Sequence, residues 1–198
     1  MRTIAAAFFL LAAVLLTALL PAAAQPAKKT QGCDLPNADT IVAGIKLGDG
    51  DTTKKVLGED YRTVVSDPQS DFAWLIFASR DNKQLFAMRH HAGDTVHSYM
   101  EFEVKFGRHD KKPMKLPTYE FITGKGIKLG MKRKALIAKL GPCFHSHQTD
   151  DSEIIRYELK DENASSGVLK AANMPQYYAE YEFRSGKLVR FKFGHAPV

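Results

Sequence analysis

The sequence lacks the motifs by which most enzymes are identified. Its 198 residues contain no Gly-x-Ser-x-Gly turn, no His-Glu-x-x-His helix and no phosphate-binding loop. These absences exclude the usual signatures of serine hydrolases, zinc proteases and nucleotide-binding enzymes. The sequence therefore predicts a protein that is not an enzyme and that binds no cofactor.

Neither charge nor hydropathy points to a nucleic acid or to a membrane. The chain has 28 Lys and Arg residues against 22 Asp and Glu residues, and the two signs are mixed along its length. So small and even an excess is not typical of nucleic-acid binding. After residue 24 no run is long and apolar enough to span a bilayer. We therefore expect no nucleic-acid partner and no stable membrane anchor in the mature chain.

The first 24 residues have the pattern of a secretory signal peptide. Arg2 precedes an apolar run over residues 4–20, and three alanines at 22–24 precede Gln25. This order predicts cleavage after residue 24, with a retained membrane anchor as the alternative. Residues 25–38 then form an extended leader, because they contain prolines and no apolar period. Export predicts a periplasmic or secreted protein.

Cysteine is scarce, with only Cys33 and Cys143 in the chain. Disulfides persist in exported proteins, so we predict one bridge between these two residues. In the chain-entropy model, closing a loop of about 110 residues contributes about 4 to 5 kcal/mol to stability. The alternatives are a free thiol or a metal ligand.

Three short motifs occur twice and in the same order. They are Gly-Ile-Lys-Leu-Gly at 44–48 and 126–130, Leu-Gly at 57–58 and 140–141, and Val-Lys-Phe-Gly at 104–107 with Phe-Lys-Phe-Gly at 191–194. Such a recurrence predicts an internal duplication. Repeat one spans residues 39–107 and repeat two spans 119–198. A basic linker broken by two prolines, residues 108–118, lies between them.

Each repeat has the periodicity of a short helix followed by strands. We expect Asp51 to cap the first helix, Val56 and Leu57 to form its inner side, and Gly58 to end it. In repeat two an apolar stripe precedes a Gly-Pro stop at 141–142. The strands alternate with period two, and residues 80–83 read as a hairpin turn. The predicted fold is α+β, with a helical segment packed on one face of an antiparallel sheet of three to four strands in each repeat.

The strand period separates an apolar side from a polar side. The side chains expected to face inward are Met100, Phe102, Val104, Phe106, Tyr177, Ala179, Tyr181, Phe183, Val189, Phe191 and Phe193. Those expected to face outward, and to bind a protein partner, are Tyr99, Glu101, Glu103, Lys105, Tyr178, Glu180, Glu182, Arg184, Arg190 and Lys192. The alternative is an ordinary solvated sheet face. The strand around Trp74 is apolar on both sides, which indicates either two covered faces or one offered to a partner.

A second candidate site is the sequence Cys143-Phe144-His145-Ser146-His147. On a strand, Cys143, His145 and His147 would share one face in steps of about 6.6 Å, a spacing that suits copper or zinc. Two imidazoles alone leave a tetrahedral site incomplete. A metal-binding protein that uses His145 and His147 is therefore an alternative function, and a small-ligand carrier or enzyme with a pocket between the repeats is another.

The second repeat resembles a known fold family. Ile-Lys-Leu-Gly-Met at 127–131, a short helical stretch and Lys-Leu-Gly-Pro at 139–142 resemble the helix motif shared by the beta-lactamase inhibitor protein fold and the small outer-membrane assembly lipoproteins (SmpA/OmlA). A tandem copy is similar to the tandem-repeat inhibitor. Where that pattern places Ser or Thr after Gly-Met, this chain has Lys132, followed by Arg133 and Lys134. These three cations form either a tolerated surface cluster or a partner-binding patch.

The resemblance implies a function as well as a fold. Proteins of this fold bind partners on the sheet surface. We therefore expect an exported, non-catalytic protein-binding module with a protein partner in the envelope or outside the cell. Its candidate roles are inhibition of an exported enzyme and envelope maintenance.

The export prediction is tested by the intact mass of the exported chain under non-reducing conditions. We expect the mass of a chain that begins at Gln25 and is two hydrogens lighter than the reduced form, because one disulfide has formed. A chain that begins at Met1 would contradict export with cleavage. A fully reduced mass would contradict the disulfide.

Overall fold

A computed structural model describes residues 38–61, 74–90, 97–109, 113–160 and 166–196. The strands are β1 Ile41–Val42, β2 Ile45–Lys46, β3 Trp74–Ala78, β4 Gln84–Arg89, β5 Glu101–Phe106, β6 Met114–Lys115, β7 His145–Gln148, β8 Glu153–Lys160, β9 Gln176–Arg184 and β10 Lys187–Ala196. The helices are α1 Gly50–Leu57, α2 Arg133–Leu140 and α3 Gly167–Ala172. The predicted signal peptide and Cys33 lie outside the described residues. Within the ranges described, no helix is long and apolar enough to cross a membrane.

The strands of both predicted repeats join in one eight-stranded sheet. Its order is β6-β3-β4-β5-β10-β9-β8-β7, and β1 and β2 form a separate small sheet. Neighbours are antiparallel except for the parallel pair β3 and β6. The junction is the pairing of β5 with β10, where Phe102 lies opposite Phe193 and Val104 opposite Phe191. The α+β class is confirmed, with more sheet than helix. The continuity of the sheet was not expected from sequence.

The helices pack on one side of this sheet, which we call the inner face. Leu136 and Leu140 of α2 are buried there, and the Tyr157 hydroxyl on β8 donates to the Gly141 carbonyl at 2.8 Å. Phe102 contacts Phe86 and Phe193 at ring-centroid distances of 5.3 and 5.9 Å. Burying each such ring contributes about 1.5–3 kcal/mol, so the aromatic inner face is the main apolar source of stability.

The opposite side is the outer face. Its side chains include Trp74, Ile76, Leu85, Ala87, Arg89, Glu101, Glu103, Lys105, Arg156, Glu158, Tyr178, Glu180, Glu182, Arg190 and Lys192. Because successive side chains on a strand point to opposite faces, each of these residues is next in sequence to a residue of the inner face.

The ends of the helices are partly as expected. Gly58 and Gly141 end α1 and α2 with φ of 87° and 89°, and their N–H groups donate to the carbonyls of Lys54 and Ile137 at 2.8 Å. Glycine tolerates such positive φ values without strain. The capping prediction for Asp51 is wrong, since Asp49 accepts the bond from the Thr52 N–H at 3.0 Å.

The inner side of α1 also differs from the prediction. Thr53 is its buried residue and Val56 is 39% exposed, whereas Leu57 packs against the core as predicted. The Thr53 hydroxyl donates to the Asp49 carbonyl at 3.1 Å, so its polar group is satisfied within the first turn of the helix. That bond allows a polar residue to occupy the core-facing position.

Two strand positions also differ from the predicted alternation. The register of β10 against β9 shifts between Leu188 and Arg190, so Leu188 is fully buried in place of Val189. This β-bulge adds one residue to β10 and cannot be read from a period of two. At the end of β5, Phe106 is 48% exposed, although its register with β4 gives it the parity of the inner face.

Gly194 permits the closest approach at the junction of the two halves. It lies opposite Glu101, and the neighbouring His195 N–H donates to the Met100 carbonyl at 2.9 Å. A Cβ at Gly194 would stand 2.9 Å from the Cα of Glu101 and would clash with the Met100 carbonyl oxygen. Both obstacles are backbone atoms, so a side chain here requires the strands to separate.

We predict that Gly194→Ala lowers the free energy of unfolding by about 1–3 kcal/mol, the usual cost of overpacking. Urea unfolding followed by circular dichroism measures it. Gly167→Ala is the matched control, because a Cβ there meets no atom of the structure within 4 Å. Equal stability of the two variants would contradict the close packing of β5 on β10.

Candidate functional site

A row of ion pairs, in two adjoining groups, covers the outer face of β5, β10, β9 and β8. We call it the ion-pair ladder, and its members are Glu103, Lys105, Arg156, Glu158, Glu180, Glu182, Arg184, Arg190 and Lys192. It arises because the strand register places Arg190 opposite Glu182 and Lys192 opposite both Glu180 and Glu103. Opposite charges on directly facing residues stabilise a sheet.

Arg190 is the centre of the ladder. Its Nε lies 2.9 Å from Glu182 Oε2, and its Nη1 lies 3.4 Å from Glu103 Oε2. Glu182 also accepts a bond from Arg184 at 2.8 Å. Arg190 therefore links β9, β10 and β5, and it crosses the junction between the two halves of the chain.

The ladder shifts the pKa values of its members. Burial alone would raise the pKa of Glu182, but the hydrogen bonds from Arg190 and Arg184 outweigh it and hold the pKa below its ordinary value of 4.5. Burial would lower the pKa of Arg190, yet Glu182 and Glu103 raise it above its ordinary value. Both groups are therefore more firmly charged than they are in an unfolded chain.

Cation–π contacts also hold cations of the outer face in place. The guanidinium of Arg156 and the ammonium of Lys192 lie 5.2 and 5.3 Å from the centre of the Tyr178 ring. On the same face, toward the β6 edge of the sheet, Arg89 lies 5.2 Å from the centre of the Trp74 ring. These cations are held over aromatic rings and not in free solution, which fixes their positions on the face.

The predicted binding residues differ in position and in exposure. All of them except Tyr99 lie on the outer face. Tyr99 is only 1% exposed, and its hydroxyl lies 2.9 Å from that of Tyr61, because the chain bends just before β5. Tyr178 is 7% exposed beneath its two cations, so the expectation that either ring is freely exposed is wrong. Glu101 is buried as well and pairs with Arg89 at 2.9 Å.

Next to the ladder lies an apolar corner, formed by Trp74, Ile76, Leu85 and Ala87 on β3 and β4. Trp74 is 36% exposed, and Leu75 and Phe77 are buried on the inner face. The prediction that β3 is apolar on both sides is confirmed. In the sequence, the continuous apolar run of β4 from Leu85 to Met88 indicates that this strand is also apolar on both faces.

A cleft of about 740 Å³ opens on the inner side, between the start of α1 and α3. Its walls include Lys46, Asp49, Asp51, Met100 and His195. The Asp49 carboxylate already caps α1, and charges of both signs face the opening. A polar ligand could be held there by residues from both halves of the chain.

His145 and His147 lie on β7 at one edge of the sheet. Both are exposed and both belong to the outer face, since they pair with Arg156 and Ile154. Cys143 precedes the strand, so the predicted row of three ligands reduces to two histidines. The described ranges contain no group of three or more His, Cys, Asp or Glu residues that could hold a metal ion.

The two remaining sequence predictions concern Cys143 and the cations at the start of α2. Cys143 is not a free cysteine, but Cys33 lies outside the described residues, so their pairing stays a prediction. Arg133 forms bonds of 2.9 and 3.0 Å to Glu153 and lies 5.3 Å from the Phe144 ring centre. Arg133 therefore anchors α2 to the sheet, which favours the surface-cluster interpretation.

The chain matches no protein-family model, and it has no match among curated proteins or solved structures. The fold-family resemblance therefore stays a prediction.

We predict that Glu182→Gln lowers the free energy of unfolding at neutral pH by about 1–2 kcal/mol, through weaker bonds to Arg190 and Arg184. A carboxyl whose pKa is lowered by folding contributes stability above its ordinary pKa and loses it as pH falls through the folded value. As the pH falls from about 5 to below 4.5, the wild type should therefore lose more stability than the variant. Thermal unfolding across this range measures it.

The matched control is Glu120→Gln, because the Glu120 carboxylate pairs with Lys128 on an exposed surface. Exposed pairs contribute about 0–1 kcal/mol. If both variants showed the same acid profile, the ladder would have no special role in stability.

Proposed function

We propose that this protein is an exported, non-catalytic module that binds a protein partner on the outer face of its sheet. The observation that carries the proposal is the combination of the ion-pair ladder with the apolar corner. Trp, Tyr and Arg are the residues that dominate binding energy at protein interfaces. Here the partly exposed Trp74 and the arginines of the ladder lie together, with Tyr178 beneath its cations, on a side of the sheet that none of the three described helices covers.

The ladder also lowers the cost of binding. A free arginine side chain loses about 0.5–1.5 kcal/mol of conformational entropy when an interface immobilises it. Arg190 and Arg156 are already fixed by their carboxylates, so much of that cost has been met during folding. Lys105 and Arg184 are 47% and 57% exposed and can meet carboxylates of the partner. The proposed partner therefore presents acidic groups beside an apolar patch that covers Trp74.

We further propose that the two halves are tandem repeats, as the family resemblance implies. Corresponding glycines have similar backbone conformations, with φ of 86° and 71° at Gly44 and Gly126 and of 71° and 82° at Gly48 and Gly130. The strand order β3-β4-β5-β10-β9-β8 is also symmetric about its centre. In this interpretation duplication doubled the width of the binding face.

The proposed location is the periplasm or the exterior, and the proposed roles are inhibition of an exported enzyme or envelope maintenance. Both follow from the signal-peptide pattern and from the resemblance. A second candidate function is small-ligand binding, and the cleft between α1 and α3 is the observation that favours it.

Site-specific photo-cross-linking in the exporting cells tests the proposed binding face. A photoreactive residue is introduced at position 74 or 105 on the outer face, or at Lys55 or Lys139 on the exposed side of the helices. We expect the same protein adduct from both outer-face positions and none from the helix positions. Adducts only from the helix side, or from no position, would contradict the proposal.

Binding to the purified partner then gives the energetics. Trp74→Ala should weaken the affinity by about 2 kcal/mol, the scale of an interface hot spot, and added salt should slow association. Lys55→Ala is the control. An unchanged affinity of Trp74→Ala would remove the apolar corner from the interface.

A further inference from the structure

The two edges of the sheet differ in how they are protected. At one edge β6 is only two residues long and stands between Pro113 and Pro117. At the other edge all four residues of β7 are exposed, with the sequence His-Ser-His-Gln. This strand has no proline and no lysine, the usual devices that prevent an edge from pairing with another chain.

The hydrogen-bond pattern shows which backbone groups of β7 face outward. The Thr149 N–H donates to the Ser152 carbonyl at 2.8 Å and closes the turn to β8. In an antiparallel pair, bonded and non-bonded positions alternate. His145 and His147 therefore direct their backbone groups toward β8, whereas Ser146 and Gln148 direct theirs away from the sheet.

The two imidazoles of β7 cannot complete a metal site alone. His145 and His147 share the outer face about 6.6 Å apart along the strand. Zinc in proteins takes four ligands, and no third ligand joins these two within the described ranges. The two histidines therefore supply half of the ligands, and two more imidazoles would complete the site.

We propose that two copies of this chain pair through β7 about a two-fold axis at Ser146, and that their four imidazoles bind one divalent transition-metal ion. Antiparallel pairing places Ser146 opposite the partner's Ser146 and His145 opposite the partner's His147. It uses the outward N–H and carbonyl groups of Ser146. It also keeps all four imidazoles on one face, because side chains alternate with a period of two.

The spacing suits such an ion. The His145 and His147 positions are non-bonded pairs across this interface, where facing Cα atoms stand about 4.5 Å apart. Imidazole nitrogens bind zinc at about 2.0 Å, and imidazole also suits copper and nickel. Pairing of the edges alone is weak, and the metal alone has too few ligands. Each therefore stabilises the other.

The charged side chains near the imidazoles are compatible with a bound metal cation. Arg156 faces His145 from β8, but its guanidinium is held by Glu158 and Glu180. Ile154 faces His147, and the adjoining turn carries Asp150 and Asp151. The positive charge of Arg156 is thus balanced on the side away from β7.

Sedimentation equilibrium of the oxidised, exported chain with ZnCl₂ or with EDTA tests the proposal. We expect monomers in EDTA and dimers in zinc, with one zinc per two chains by elemental analysis. If zinc binds the dimer and not the monomer, zinc at 100 times its Kd raises the dimerisation constant about 100-fold. No change in mass, or one zinc per monomer without dimers, would overturn the proposal.

Three variants locate the interface. His145→Ala with His147→Ala should abolish the zinc-dependent dimer. Ser146→Pro keeps both imidazoles but removes the outward N–H, and it should abolish the dimer as well, whereas Ser146→Ala should not. Circular dichroism checks that each variant folds. A dimer that survives the histidine variant or Ser146→Pro would show that another surface forms it, and would overturn the proposal.

Discussion

The pairing of β5 with β10 is the contact on which the rest of the structure depends. It joins strands that are more than 80 residues apart in sequence and extends over the register from Lys105 with Arg190 to Glu101 with Gly194. On the inner face it brings Phe102 against Phe193. On the outer face it brings Arg190 within reach of Glu103. A single junction therefore makes both the shared core and the continuous charged face.

The outer face combines features that usually conflict. A charged surface is normally flexible and well hydrated, so immobilising it at an interface has a high entropic cost. Here Arg190 and Arg156 are bound by carboxylates on neighbouring strands, and Tyr178 and Trp74 lie beneath cations. The face is therefore both charged and held in a fixed arrangement, and the proposed protein-binding function rests on that combination.

Local features of the fold could be predicted from sequence, and long-range features could not. Phe102, Val104, Tyr181 and Phe191 are buried as their period of two predicts. The extra residue of the bulge, which buries Leu188 in place of Val189, depends on how β9 and β10 meet. The burial of Tyr99 depends on a bend that brings it to Tyr61, and neither event leaves a periodic signal.

The same limit applies to the candidate site. The charged rows of β5, β9 and β10 were readable as polar positions. Their mutual pairing was not, because it requires knowing that the last strands of the two halves are neighbours. The edge position of His145 and His147 likewise follows from the sheet order and not from their spacing.

Amide hydrogen exchange tests most directly whether one sheet unites the two halves. If β5 and β10 form its centre, their amides should be the slowest to exchange, and both strands should exchange with the same free energy, equal to that of global unfolding. Earlier exchange of all strands from one half, while the other half stays protected, would show two independent units and contradict the account.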